Sequence, residues 1–225
     1  MMNISVLKIK IVLFFKFFLG RKMVSHFLSN KYLKTYRKTG IIFIHIPKAA
    51  GTSIANAIYG KRNGHLTASA VKDGLKGEYE KLFSFSVSRD PYSRLTSAYR
   101  FATQGQTKDG AIANPNLYSG EEFRDFETFI TKWLINQNLN DLDNVFKPQH
   151  FFVFKEKTCL VKKLYKLEDL SPLEQELSIR TGKKVHINQK NISNKNSKSI
   201  IYTTELKEIV YNLYKKDFEL FDYNK

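Results

Sequence analysis

The stretch 41-IIFIHIPKAAGTSI-54 decides how the chain is read. IIFIHI is a continuous apolar-rich run, the pattern of a strand buried on both faces of a parallel sheet. A short loop follows, and Thr52 to Tyr59 has helical spacing, with Thr52 or Ser53 as its predicted N-cap. A strand, loop and helix in this order present the unpaired N–H groups and partial positive charge of a helix N-terminus, where phosphate-like anions bind. Gly51 lets the backbone come close to a ligand, Thr52 and Ser53 add hydroxyls, and Lys48 supplies a mobile charge. The lysine precedes the glycine, whereas a Walker A loop has it after, and no strand ends in an aspartate placed to hold Mg²⁺. The stretch therefore predicts an anion cradle that works without a metal. An ordinary turn with a solvated lysine is the plain alternative.

A second unit of the same kind is 83-FSFSVSRDPYSRLTSAYR-100. FSFSVS is a predicted strand, Pro91 suits the first turn of a helix, and Tyr92, Leu95, Tyr99 and Ala102 share helical spacing. Arg89 stands where the strand ends, at the ligand-binding edge of an α/β sheet. An arginine there can clasp a phosphate with two parallel hydrogen bonds, and Ser97 can complete the clasp. Two anion sites on neighbouring strand ends suit a ligand with two separated anionic groups. A salt bridge of Arg89 to Asp90 and a helix-face Ser97 are the structural alternatives.

On these residues the chain resembles the sulfotransferases, in the branch that acts on carbohydrates. HIPKAAGTSI is similar to that family's 5′-phosphosulfate-binding loop, and FSFSVSRDPYSRLTSAY to its 3′-phosphate-binding motif V-R-[ND]-P-x-x-R-x-x-S-x-Y. Ser88 stands between Val87 and Arg89, a small departure. KPQHFF (147–152), YKLEDL (165–170), HIN (186–188) and LYKKDFELFDY (213–223) also look like the family, so the resemblance covers roughly residues 41–223. It implies the donor 3′-phosphoadenosine 5′-phosphosulfate and no metal. Lys48 would face the bridging oxygen or 5′-phosphate, with Ala50, Gly51, Thr52 and Ser53 around the phosphosulfate. Arg89 and Ser97 would hold the 3′-phosphate.

The attacking hydroxyl needs a base, and histidine is the usual one near neutral pH. His26, His45, His65, His150 and His186 are the candidates. In related glycan sulfotransferases the base comes from the stretch between the two motifs, which points to His65, with Glu78 and Glu80 as carboxylate alternatives. Lys48 and His65 are thus the expected catalytic pair.

The rest of the chain predicts strands at 151–154 and within 159–167, an amphipathic helix through Phe123, Phe126, Phe129, Ile130, Trp133 and Leu134, and helices at 171–181 and 203–216. Residues 60–80 read as mostly loop with room for a short helix, and 104–120 and 188–199 as polar loops; the three segments would build the acceptor pocket. Alternating strands and helices imply an α/β fold: a single P-loop-like three-layer domain over 41–225, with a central, mostly parallel sheet. Residues 1–40 read as a basic, partly apolar extension. Its segment 4–19 is interrupted by Lys8, Lys10 and Lys16, so its apolar runs fall short of the roughly 20 residues a spanning helix needs. The expectation is a peripheral membrane contact through residues 1–20 or packing on the domain, with a membrane anchor as the alternative.

Composition bounds the function. A single cysteine, Cys159, excludes an intramolecular disulfide framework. With 37 Lys+Arg against 21 Asp+Glu, the net charge of +16 attracts polyanions without choosing among them. It suits an acidic glycan or glycolipid acceptor. No recognition-helix or aromatic–basic pattern points to nucleic acid. A P-loop-type kinase of a small metabolite and a non-enzymatic polyanion binder are the competing readings. The absence of disulfides and of a clear anchor, with an AT-rich-genome composition, suggests a bacterial cytoplasmic protein. Oligomeric state is not encoded legibly.

Overall fold

Ile41 to Ile44 form a strand whose alternate side chains enter two different cores, and the rest of the fold is arranged around that fact. A computed structural model describes residues 30–104, 106–107, 110–111, 115–188 and 200–225. In chain order the elements begin with helix α1 (30–39), β1 (Ile41–Ile44), α2 (Gly51–Tyr59) and α3 (Ala68–Leu75). Next come β2 (Phe83–Ser88), α4 (Pro91–Thr103), β3 (Gln106–Thr107), β4 (Gly110–Ala111) and α5 (Phe126–Thr128). The chain closes with α6 (His150–Val153), β5 (Phe154–Lys155), β6 (Thr158–Cys159), β7 (Lys163–Lys166), α7 (Ser171–Thr181) and α8 (Thr204–Phe221).

The main sheet has the order β1-β2-β7 and is parallel throughout, with Ile41 opposite Phe83 and Phe85 opposite Lys163. Ile41, Phe43, Phe83, Phe85 and Val87 pack with Ile54 and Ala55 of α2 and Leu173 and Leu177 of α7. Ile42, Ile44 and Ile46 turn the other way, onto Leu33 and Tyr36 of α1 and Val71 and Leu75 of α3. Each such buried apolar side chain contributes roughly 1.5–3 kcal/mol, so both faces of the sheet are strongly held. Helices on both faces make the three-layer α/β arrangement expected from the alternation of elements. A third, aromatic core joins α4 and α8 to residues 118–146.

Strand β2 is buried along its whole length although every second residue is serine. The serines face neighbouring strands and bond to their backbones. The Ser86 hydroxyl donates to Ile44 O at 2.7 Å, and Ser84 Oγ accepts from Lys162 N at 3.0 Å. A hydroxyl paired in this way avoids the cost of burying an unsatisfied polar group.

Three elements differ from the sequence expectation. FFVF is not a strand: residues 150–153 form the single turn α6, and only Phe154 and Lys155 enter a ladder, the short β5–β6 hairpin. The N–H groups of Gln149 and His150 are captured by Asp217, which starts a helical turn and overrides the β-propensity of the phenylalanines. The expected amphipathic helix over 123–134 is broken into a 3₁₀ turn, α5, a π turn at Phe129–Trp133 and a second 3₁₀ turn. The wider turn lets Phe123, Phe129 and Trp133 all pack against one another. The last helix runs on from its predicted end to Phe221, with a kink at Tyr214, whose hydroxyl donates to Phe146 O at 2.8 Å.

Helix α1 lies against the domain, with Tyr36 buried and its hydroxyl shared between Phe43 O and the Asn63 side chain. Among the described residues no helix is long and apolar enough to cross a membrane. The predicted membrane-contact segment 1–20 and nearly all of loop 188–199 lie outside the described residues, as does part of loop 104–120.

Candidate functional site

The loop between β1 and α2 is held in an uncommon backbone shape. Lys48 has φ 68° and Ala50 φ 55°, both left-handed, a region that costs non-glycine residues of order 1–3 kcal/mol each. Ala50, rather than Thr52 or Ser53, is the N-cap of α2, and among the described residues that helix end has no side-chain cap hydrogen bond. The predicted cap is thus corrected. The chain enters the helix through a left-handed residue whose side chain has no acceptor. Helix N–H groups left without a side-chain acceptor are an anion-binding surface. Thr52 and Ser53 sit half-buried in the first turn beside them.

Gly51 answers to a further demand. A Cβ built on it would lie 1.7 Å from Cδ2 and 1.8 Å from Nε2 of His45. His45 is 6% exposed, stacked on Phe43 and packed against His65, so its imidazole occupies the space a side chain at 51 would need. The glycine read as a close-approach residue for ligand is required first by the histidine beneath it.

The second unit grips the first. Arg94, 2% exposed, donates from Nε to Pro47 O at 3.1 Å and from Nη2 to Lys147 O at 2.8 Å and Val145 O at 3.3 Å. Arg89 Nη1 donates to Lys48 O at 3.3 Å, and its Nε donates to Ser93 Oγ at 2.9 Å. Asp90 turns its carboxylate to Ser93 N at 2.7 Å and caps α4. Arg89 is therefore aimed at the loop, and the alternative of a simple pairing with Asp90 is not what the side chains do. Burial lowers the pKa of both arginines, Arg89 and Arg94, yet a guanidinium stays charged in proteins.

One face of α4 extends the site. Ser93 touches Arg89, and Phe101, two turns on, lies 4.2 Å beneath the Lys48 ammonium. Ser97 is half-buried and midway between them on the same face, since residues four apart in a helix are neighbours. Lys48, Gly51, Thr52 and Ser53 thus follow the end of β1 and Arg89 the end of β2, tied through the Lys48 carbonyl, while Ser97 lies on the α4 face between Ser93 and Phe101.

His65 joins this group from the segment before α3. Its ring centroid is 4.2 Å from that of His45, and its Nδ1 is 3.3 Å from His45 O. A carbonyl only accepts, so Nδ1 carries the proton and the neutral ring keeps its lone pair on Nε2. The residue keeps an open side to solvent, yet the atoms crowding the ring lower its pKa, helped by the charges of Lys48 and Arg94. His45 is pushed down further, by burial first and by His65.

The other base candidates go elsewhere. Glu78 pairs with Arg37 and Glu80 with Lys72, each exposed and each with its pKa lowered, first by the hydrogen bond to that partner. His150 gives Nδ1 to Asp217 at 2.7 Å, and His186 faces Glu174 on the surface. His26 lies outside the described residues. Burial raises the Cys159 thiol pKa, opposite to the shift a nucleophile needs. Sequence reasoning missed Gln149 and Phe101 as neighbours of the site. The KPQHFF segment was a visible signal for the first; nothing in the pattern of α4 singled out the second.

No curated protein and no solved structure matches the chain. A sequence model described as "Sulfotransferase family" matches residues 31–224, beginning within α1, and the chain belongs to that family.

Proposed function

We propose that the protein transfers a sulfuryl group from 3′-phosphoadenosine 5′-phosphosulfate to a hydroxyl of a glycan or glycolipid by in-line displacement. Sulfuryl transfer follows from the family, which generally uses this donor. The observation that carries the residue roles is the tie from Arg89 to the Lys48 carbonyl, which sets two cationic side chains from separate motifs around one loop. The donor set fits an anion with two ends: an uncapped helix N-terminus with Lys48 at one, Arg89 with Ser93 and Ser97 at the other. The net charge of +16 favours an acidic acceptor, and residues 1–20 would bring the protein to the membrane side where such saccharides are assembled.

When bound, the donor supplies the activated sulfuryl group. Lys48 then neutralises charge that builds on the leaving phosphate, and the α2 N–H groups with Thr52 and Ser53 orient it. Arg89 and Ser97 hold the 3′-phosphate. His65 takes the acceptor proton on Nε2, while its Nδ1–H stays on the His45 carbonyl and fixes the ring.

Calorimetry with adenosine 3′,5′-bisphosphate and with ATP tests the class. Wild type is expected to bind the bisphosphate tightly and ATP weakly, and Arg89→Ala to lose at least about tenfold in bisphosphate affinity, as removal of a charge-assisted bidentate contact predicts. Equal affinity for ATP in wild type would support the kinase reading instead.

His65→Ala is expected to cut turnover by roughly 10²–10⁴-fold with donor affinity unchanged. Because the His65 pKa is lowered, the base stays neutral to more acidic pH. The acid limb of kcat/KM in wild type is therefore expected to have its midpoint below 6.5, the ordinary histidine value. Retention of more than about a tenth of turnover in His65→Ala, against the contribution expected of a general base, removes it from the role.

A further inference from the structure

The KPQHFF segment is one of the family-like stretches that the donor and acceptor assignments leave unused, and the structure places its Gln149 directly behind Arg89. The ladder between β2 and β7 ends at Ser88, paired with Lys166. Arg89 lies one residue beyond it, where no strand supplies its N–H and C=O with partners. Gln149 supplies both. Its Oε1 accepts from Arg89 N at 2.9 Å and its Nε2 donates to Arg89 O at 2.8 Å. One side-chain amide thus does for Arg89 what a neighbouring strand does for a ladder residue.

Gln149 is itself fixed. It is 0% exposed, and its own N–H is given to Asp217 Oδ2 at 2.7 Å. Asp217, also 0% exposed, accepts in addition from His150 N at 2.9 Å and His150 Nδ1 at 2.7 Å. Buried polar groups are kept when all their bonds are made, and such fully satisfied sets rigidify what they touch. On the far side Glu168 accepts from Asp90 N at 2.8 Å, so the chain is held on both sides of the Arg89 side chain.

We propose that Gln149, backed by Asp217, is a positioning residue that sets the Arg89 backbone, and through it the guanidinium, for the 3′-phosphate of the donor. Two hydrogen bonds to one residue's backbone fix where its side chain starts. A long arginine with a wandering start loses the aligned pair of bonds that distinguishes a bisphosphate from a monophosphate. The inference rests on the reading of Arg89 as the 3′-phosphate ligand.

The test is the ratio of affinities for adenosine 3′,5′-bisphosphate and adenosine 5′-monophosphate, measured by calorimetry on the full chain. That ratio isolates the 3′-phosphate and is blind to a general loss of folded protein. Gln149→Met keeps the volume and removes both bonds. It is expected to lower the ratio by roughly tenfold or more, the scale on which small misplacements act. Combined with Arg89→Ala it is expected to lower it no further than Arg89→Ala alone. Gln149→Glu keeps one acceptor, sets an oxygen against the Arg89 carbonyl, and is expected to lower the ratio as well; it is read in the same way if the methionine variant does not fold. A ratio within about twofold of wild type in the folded Gln149 variant, while Arg89→Ala collapses it, overturns the positioning role alone, since misplacement by as little as 1 Å should cost far more. An unchanged ratio in Arg89→Ala overturns the reading of Arg89, and this inference with it.

Discussion

Lys48→Met is expected to lower kcat about a hundredfold to a thousandfold, the cost of removing one preorganised group that stabilises transition-state charge. Lys48 is held left-handed at φ 68°, its carbonyl is fixed by Arg89, and the preceding carbonyl of Pro47 is fixed by Arg94. Strain of that kind persists only where surrounding structure imposes it. The ammonium is carried over the Phe101 ring at 4.2 Å. Methionine retains an unbranched stem for that ring and removes the ammonium with its charge and donors, while the backbone ties from Arg89 and Arg94 stay, so the fold is expected to survive. Affinity for adenosine 3′,5′-bisphosphate should fall far less than kcat, by about fivefold or less, because the charge that Lys48 meets is largest in the transition state. Lys48→Arg is not expected to restore the rate, since a planar guanidinium is larger and differently directed than an ammonium. Single-turnover kinetics separate the two effects. A kcat within tenfold of wild type would end the role assigned to Lys48.

Gly51→Ala is expected to destabilise the protein by about 3 kcal/mol or more and to abolish donor binding. Helix propensity alone argues the reverse, since alanine is better than glycine in a helix by about 1 kcal/mol. The clash decides. The added methyl falls 1.7 Å from the His45 ring. That ring has little room to move, being buried between Phe43 at 5.8 Å and His65 at 4.2 Å. Overpacking of a rigid site costs typically 1–3 kcal/mol and more when the neighbour cannot shift. His45→Ala should recover much of the loss when combined with Gly51→Ala, because it vacates the space the methyl takes. Urea denaturation of the two single variants and the double gives the coupling. Additive effects would show that ring and glycine do not compete for the same volume.

The parts of this protein that could be read from its sequence were those with local chemistry. IIFIHI and the helix after it, Arg89 at a strand end and Pro91 opening α4 are local patterns, and the structure has each element where the residues put it. The parts that could not be read depend on distant partners. Phe151 and Phe152 look like strand residues until Asp217 takes the N–H groups before them. Thr52 looks like an N-cap until Ala50 turns left-handed ahead of it. Gly51 looked like a ligand-facing glycine, and only the folded position of His45 reveals its other reason. His65 could be nominated through the family resemblance, which implies a base from the stretch between the two motifs. That its Nδ1 lies 3.3 Å from the His45 carbonyl, the contact from which Nε2 is assigned as the acceptor, is visible only in three dimensions.

The end of β2 has a consequence for how the two halves of the site are set in height. Side chains in a strand alternate with period two, so sliding β2 by two residues against its neighbours would keep every phenylalanine on the correct face. Apolar patterning cannot reject that slip, and neither can the serines, which recur with the same period so that one would take another's place. Arg89 can. A slip in either direction takes its N–H and C=O away from the Gln149 amide that pairs both, at about 1–3 kcal/mol for each buried group left unpaired. In one direction it also drives the guanidinium into the place of the buried Val87. The Gln149 amide therefore works as a vernier. It fixes how far Arg89 projects beyond the sheet relative to Lys48, and so the length of the molecule that can lie between them.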